Sequence, residues 1–407
     1  MYKVSDAWLR KILTVLYERR QTTRAEIIQA TRLNVASVSQ GLRHLIEAGV
    51  VRKLGQLPSA AGRRRDYLEI SSEAAYFLAV DLEGTRVRFG LASFLGDILH
   101  RWEEPFAREH PLGMDTLIKG FEVVQERLTA QERARVLAIG VSYSGVMDRD
   151  RRVTAVNLGW NEYPLADNLR DATGLPVFLG TECLTKLLAE RWLGMARDCG
   201  DFIYVTIGNG VGVACMVDGR VLSGRDGFAG EFGHMNVDPN ARERCNCGNT
   251  GCLEAVVSSP GMVRCYLELA NGDGRVQWDQ VTEVFDLARS GEPHALAVVD
   301  RAGHDLGVGL ANIANLLNPE LIVLGGDVLH APDLFLPRVV REIDAHTLPK
   351  IRRGLEVKCS SMGFDIGLVG AASLAFHDAI QDTTLLHRIV SRPPRPRRKR
   401  RTAAVLS

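Results

Sequence analysis

The chain has no long uninterrupted apolar run. Its most apolar long stretch, Leu306–Gly326, is broken by Asn312, Asn315, Asn318, Pro319 and Glu320. It therefore reads as a core segment and excludes a membrane span. Met1–Arg20 lacks a continuous apolar core, so no signal peptide is expected. Cysteine is sparse: there are eight in 407 residues, three of them crowded into Cys245–Cys252 and five scattered singly. That excludes a secreted disulfide framework and fits a reducing cytoplasm. No short tandem repeat is visible. Net charge is nearly missing as well, at +1.

What is present is a strong segregation of charge. Residues 1–65 hold thirteen Lys and Arg against four Asp and Glu, and Arg392–Arg401 adds seven cations and no acid. The remainder carries a net −15. A basic front, an acidic body and a basic tail imply that only the ends meet a polyanion. The length suggests two or three domains. The expected division is a DNA-binding domain over 1–70, a body over 75–385 and a disordered basic tail over 386–407.

In the first segment Trp8, Leu9, Ile12, Leu13 and Leu16 recur at helical spacing. Thr23 followed by Glu26 forms a capping box that opens a second helix. A turn at Thr31–Asn34 leads to a third helix, with Val35, Val38, Leu42 and Leu45 on one face and Ser37, Gln40, Arg43 and His44 on the other. Two short strands around a basic loop follow. This pattern predicts a winged helix-turn-helix whose third helix enters the major groove. Ser37, Gln40, Arg43 and His44 would reach base edges, and Arg63, Arg64 and Arg65 on the wing would reach phosphates or the minor groove. The competing reading is a small helical interaction domain with a solvated basic face. The tail, RPPRPRRKRR, is open between a minor-groove binder and a solvated charge run.

From Tyr76 onward apolar strands alternate with helices, the pattern of an α/β body. Strands are predicted at Phe77–Asp81, Arg86–Ala92, Val136–Ser142, Val177–Leu179, Phe202–Ile207, Gly212–Val217 and Leu321–Leu324. Helices are predicted at Thr116–Thr129, Thr185–Leu193, His294–Leu317 and Phe335–Ala345. The most specific motif is GEFGHMNVDPNARERCNCGNTGCLE, residues 230–254. His234, Cys245, Cys247 and Cys252 supply one imidazole and three thiols, a set suited to tetrahedral zinc. Four protein ligands leave no position for water, so such a zinc is structural. The alternative is a reduced cysteine-rich loop without metal.

This segment resembles the signature of the ROK family (repressors, open reading frames and kinases). VDLEGT at 80–85 and IGNGVG at 207–212 resemble its two phosphate loops. GVSYSGVMD at 140–148, NLGW at 157–160 and ANLLNPELIVLGG at 314–326 resemble further family segments in the same order. The resemblance implies an actin-like ATPase fold of two α/β lobes around a cleft. A preceding winged helix resembles the repressor branch.

The resemblance also implies a sugar site at Asn157, Thr181, Glu182, Glu231, His234 and Glu254. Local loop capping is the competing role for Glu231 and Glu254. Where the kinases read ENDAN, with Asp as general base, this chain reads GTECL. Thr181 stands for Asn, and Glu182, one methylene longer, stands at the base position. The phosphate-loop positions are Asp81, Gly84, Thr85, Gly208, Gly210 and Gly212. Both loops are eroded by Glu83, Asn209 and Val213-Ala214, so ATP and magnesium are not expected as cofactors. The expected function is a sugar-responsive transcriptional regulator, a repressor of carbohydrate genes. Its expected partners are operator DNA, a sugar or sugar-phosphate effector, and a second copy or three further copies of itself. The competing functions are an active ATP-dependent sugar kinase that retains a DNA-binding domain, and a scaffold whose body binds a protein.

Overall fold

The computed structural model describes residues 4–57, 65–83, 86–106, 111–238, 240–270 and 280–391. The first helix, α1 (Asp6–Arg19), buries Leu9, Ile12, Leu13, Leu16 and Tyr17. A short strand β1 (Gln21–Thr23) leads into α2 (Arg24–Thr31). The capping box is present: Glu26 N donates to Thr23 Oγ1 at 3.4 Å, and Thr23 N donates to the Glu26 carboxylate at 2.8 Å. Three residues later α3 (Val35–Glu47) starts at Asn34, whose Oδ1 accepts from Ser37 N at 2.8 Å. The wing strands β2 (Val51–Leu57) and β3 (Arg65–Ile70) are antiparallel. β1 adds to β3, so the sheet has three strands rather than the two expected.

Two side chains on α3 depart from the expected faces. Ser37 is buried, because it shares its side of the helix with Gly41, where a Cβ would fall 2.5 Å from Ile12 Cδ1 of α1. Val35 is 62% exposed, since it opens the helix and the first turn overhangs its neighbours. Helical angle alone does not register where a partner helix ends.

The first lobe holds β4 (Tyr76–Leu82), β5 (Arg86–Ser93) and β6 (Ile98–Pro105). Then come α4 (Met114–Gln125), α5 (Ala130–Arg133) and β7 (Val136–Tyr143). The helix expected over Thr116–Thr129 is α4, which ends at Gln125; Thr129 with Glu132 forms a capping box that opens the separate α5. A small sheet of β8 (Val146–Met147), β9 (Val153–Ala155) and β10 (Trp160–Tyr163) precedes α6 (Leu165–Thr173), β11 (Val177–Thr181) and α7 (Glu182–Trp192).

The second lobe runs β12 (Phe202–Ile207), β13 (Val211–Val217), β14 (Arg220–Val221), α8 (Glu254–Val257), α9 (Ser259–Leu269) and α10 (Val281–Arg289). It continues with α11 (Pro293–Leu317), β15 (Leu321–Gly326), α12 (Pro332–His346), α13 (Pro349–Arg352) and β16 (Glu356–Cys359). α14 (Ile366–Gln381) and α15 (Thr383–Val390) close the described chain.

The two large sheets are ordered β11-β7-β4-β5-β6 and β16-β15-β12-β13-β14. In each, the first three strands of the list are parallel and the last two joins are antiparallel. The body is therefore a structural duplication, although no repeat is visible in its sequence. The helices that follow the last strand of each half, α7 and α14, lie against each other between the sheets. Their approach is close: a Cβ at Gly370 of α14 would sit 2.6 Å from Thr185 O of α7, and one at Gly140 of β7 would sit 1.9 Å from Ala371 O.

The winged helix is joined to this axis by a shared apolar core. The Tyr17 ring stacks on Phe376 with centroids 3.8 Å apart and meets Trp192 edge-on at 5.4 Å. Arg191 pairs with Glu18, and Arg10 donates to Ile380 O at 3.0 Å. A disordered tail is expected from 386 onward, but residues 386–390 lie in α15. Leu385, Leu386, Ile389 and Val390 recur at helical spacing, and α15 buries them in the same core. Residues 392–407 lie outside the described ones. Among the described residues no helix is long and apolar enough to cross a membrane.

Candidate functional site

The loop between β14 and α8 brings the four soft ligands together. His234 ends a 3-10 turn, Phe232–His234. Bridges pair Asn236 with Cys252 and Arg244 with Thr250, folding the loop back on itself. Gly248 and Gly251 turn the backbone with φ of 93° and 78°. The ligand atoms of His234, Cys245, Cys247 and Cys252 all lie within 4.8 Å of one another. Cys247 Sγ is 3.7 Å from Cys252 Sγ, and Cys245 Sγ is 3.7 Å from His234 Nδ1. Tetrahedral zinc with ordinary bond lengths requires about 3.8 Å between two sulfurs, close to the Cys247–Cys252 separation, so the donor set suits the ion.

His234 faces two ways. Nδ1 points to the sulfurs, while Nε2 is 3.6 Å from Glu231 Oε2. A metal on Nδ1 would fix the ring and leave Nε2 for a ligand hydroxyl. Glu231 is exposed and open to such a ligand. Glu254, the first residue of α8, accepts from Val211 N at 3.0 Å through Oε2. One of its oxygens is thus bound to the β12–β13 turn, as the capping alternative requires. That turn needs glycine, since a Cβ at Gly210 would lie 2.7 Å from Glu254 Oε2.

Across the cleft, Thr181 ends β11 and Glu182 opens α7. Asn157 sits in the 3-10 turn Val156–Leu158. Gly84 and Thr85 lie outside the described residues. Gly208 donates its N–H to Gly210 O at 2.9 Å, making the β12–β13 turn tight. A Cβ at Gly212 would meet Cys183 Sγ at 2.3 Å, so the start of β13 sits directly on the first turn of α7.

The sequence reading missed the residues that decide the electrostatics here. Lys186, one turn along α7 and almost wholly buried, pairs with Glu182 and lies 3.0 Å from Glu83 Oε2. Thr206 Oγ1 of β12 donates to Glu182 Oε1 at 3.0 Å. Arg88, opposite Asp81 in the β4–β5 register, pairs with the fully buried Asp81 and approaches Glu83 at 3.8 Å. Burial, and then the Glu182 charge, push the Glu83 carboxyl up to about 8. Burial also raises Glu182, but Lys186 beside it outweighs that and leaves it below the ordinary carboxylate value. Burial works against the Lys186 charge, yet Glu182 and Glu83 hold its pKa well above the ordinary lysine value. The i,i+4 spacing of Glu182 and Lys186 was legible as a helix pair; the tie to Glu83, 103 positions away, was not.

On the winged helix, Arg43 is exposed, and Gln40 and His44 are half-buried on the outer side of α3. Ser37 is withdrawn from that face by its burial. Arg63 and Arg64 lie outside the described residues, and of Arg65 only the backbone, in β3, is described.

Comparison with known proteins follows the same division. The ROK family model matches residues 77–378. A glucokinase of Halalkalibacterium halodurans is 32% identical over 312 residues, covering 74% of this chain and 94% of that protein. A putative xylose repressor of Caldicellulosiruptor sp. is 28% identical and covers 91% of this chain and 95% of that protein. A crystal structure of a ROK family transcriptional regulator, a homolog of the Escherichia coli MLC protein, superposes with a TM-score of 0.75 at 25% identity. It covers 94% of this chain and 100% of that one.

Proposed function

The chain belongs to the ROK family, and on that premise we propose that it is a sugar-responsive DNA-binding repressor of carbohydrate genes. Its body, in this reading, holds one structural zinc and binds a sugar without phosphorylating it. The observation that carries the reading is the winged helix itself. It is packed into the core of the body through Tyr17, Trp192 and Phe376, and the repressor and regulator matches extend over it where the glucokinase match covers 74% of the chain. A ligand that shifts the lobes would also shift α7 and α14, and with them the presentation of α3. Ligand and operator then bind different states with different affinity, which is the thermodynamic requirement for regulation. A dimer follows from the two half-sites that helix-turn-helix proteins read.

His234, Cys245, Cys247 and Cys252 would hold the zinc. The ion would brace the loop that presents Glu231, His234 and Glu254 to sugar hydroxyls. The absence of phosphoryl transfer is argued from Glu182, whose carboxylate is engaged by Lys186 and Thr206 at the position where a base would act. The second reading, an active sugar kinase, is favoured by the glucokinase match and by the surviving carboxylates of Asp81 and Glu182. One experiment separates them. The full-length protein is mixed with DNA from upstream of its own and neighbouring genes, with and without sugars, and in parallel with sugars and Mg-ATP in a coupled assay. Sequence-specific binding altered by a sugar, with no turnover, supports the regulator; turnover near 1 per second or faster, on the order of ordinary enzymes, supports the kinase.

A further inference from the structure

The cleft has two chemically different ends, and they adjoin. Glu231, His234 and Glu254 stand at one. Asp81, Glu83, Glu182, Arg88 and Lys186 stand at the other. The two meet around Cys183, whose thiol is held well above its ordinary value by burial first and then by Glu182, with Glu231 adding to the effect. At the charged end both cations are engaged: Lys186 by Glu182 and Glu83, Arg88 by Asp81. A further carboxylate closes the approach along the β12–β13 turn. Asp327, just after β15, accepts from Ser259 Oγ at 2.6 Å, and its Oδ2 would be 3.9 Å from a Cβ at Gly208.

We propose that Asp327 and the Lys186–Glu182 pair, joined by Glu83 in its ionised form, close this end to phosphate, so that the effector is an uncharged sugar and sugar phosphates and nucleoside triphosphates are excluded. The inference rests on the reading of the body as a sugar-binding sensor. A phosphate entering beside Gly208 meets Asp327, and one entering beside Thr206 and Lys186 meets Glu182 and Glu83. Like charges at such short range repel. A neutral hydroxyl suffers no such repulsion and donates well to a carboxylate. Lys186 supplies a countercharge to Glu182 and Glu83 from within the protein.

The test uses full-length protein at pH 9, where Glu83 is ionised. Melting temperature is measured with xylose, glucose and N-acetylglucosamine, with xylose 5-phosphate, glucose 6-phosphate and N-acetylglucosamine 6-phosphate, and with Mg-ATP. At least one neutral sugar is expected to raise the melting temperature at millimolar concentration, and its phosphate ester to bind at least tenfold more weakly. The Glu83→Gln, Asp327→Asn double variant keeps the shape of both side chains and is expected to cut that discrimination at least tenfold. A phosphate ester or Mg-ATP that shifts the wild type as much as the neutral sugar overturns the inference and leaves the sugar-sensing function standing. Undiminished discrimination in the double variant does the same. No shift with any sugar overturns both.

Discussion

The turn after β4 and the turn after β12 occupy equivalent places in the two duplicated sheets, and they carry opposite chemistry. The first presents Asp81 and Glu83, tied into Arg88 and Lys186. The second presents Gly208, Asn209 and Gly210, with bare backbone close to Glu254. The two halves match strand for strand in order and direction. The fold therefore does not decide what its loops do; the side chains hung on equivalent turns do. One half has open backbone beside the His-Cys cluster, and the other sets Asp81 of β4 and Glu83 just past it against Arg88 and Lys186.

The His-Cys cluster, as the proposed zinc site, is the first place to break the comparison. Purified protein is expected to carry about one zinc per chain, and Cys247→Ser is expected to lose it. Structural zinc contributes on the order of 10 kcal/mol in small metal-folded peptides. Here the loop has other supports, including the Glu243 pair with Arg301 of α11 at 2.6 Å. The cost is thus smaller, but it is the largest expected of any single side chain. Elemental analysis and melting temperature check it. Zinc-free wild type of unchanged stability would remove the loop's supposed brace.

The axis between the halves comes next. Tyr17→Ala removes a fully buried ring that stacks on Phe376, at an expected cost of about 3–5 kcal/mol. The informative readout is coupling: sugar binding should survive while sugar no longer alters operator affinity. Arg43→Ala, on the exposed side of α3, is a smaller change. It should weaken operator binding by about 1–3 kcal/mol and relax preference at one base pair, leaving ligand binding untouched. Equal loss on every DNA sequence would mean that Arg43 meets phosphate instead of a base.

Legibility in the sequence follows how local each feature is. The His-Cys cluster lies within nineteen positions, and spacing alone pointed to it. The winged helix was legible because its cap, Thr23 with Glu26, and its apolar stripe are short-range signals. Ser37 was misplaced because burial there depends on how near α1 comes at Gly41. Helix α14 was not predicted at all. It buries Ile366, Leu368, Leu374 and Phe376 together with Gly367, Gly370, Ala371 and Ala372, on all sides, so it has no polar face to give it a period. The duplication was hidden because strand order is conserved by hydrogen-bond geometry and needs no similarity of side chains. Lys186 read as one more helical lysine, since Glu83 reaches it only through the fold.

The smallest effect is also the sharpest test of the charged turn. Glu83, just past β4, faces Asp81 of that strand, Arg88 on β5, and Glu182 and Lys186 on α7. Burial and the neighbouring Glu182 raise it from 4.5 to about 8. Between those values the folded chain holds a proton that the unfolded chain has released. Stability from this group is therefore fully present below about pH 4.5 and is lost as pH rises through about 8. Glu182 works the other way. Lys186 overcomes its burial and leaves it depressed, so its contribution is lost only as pH falls below the carboxylate range. His377, depressed by burial to about 4, likewise contributes stability that is lost as pH falls from 6.5 through about 4. Glu83→Gln removes the first of these and leaves the other two groups in place. Melting temperature measured from pH 5 to 9 on wild type and variant should then diverge, with the glutamine protein gaining on the wild type as pH rises and the gap levelling above about pH 8. Curves that stay parallel across that range would show that Glu83 is an ordinary exposed carboxylate. The turn after β4 would then be as open as its counterpart after β12.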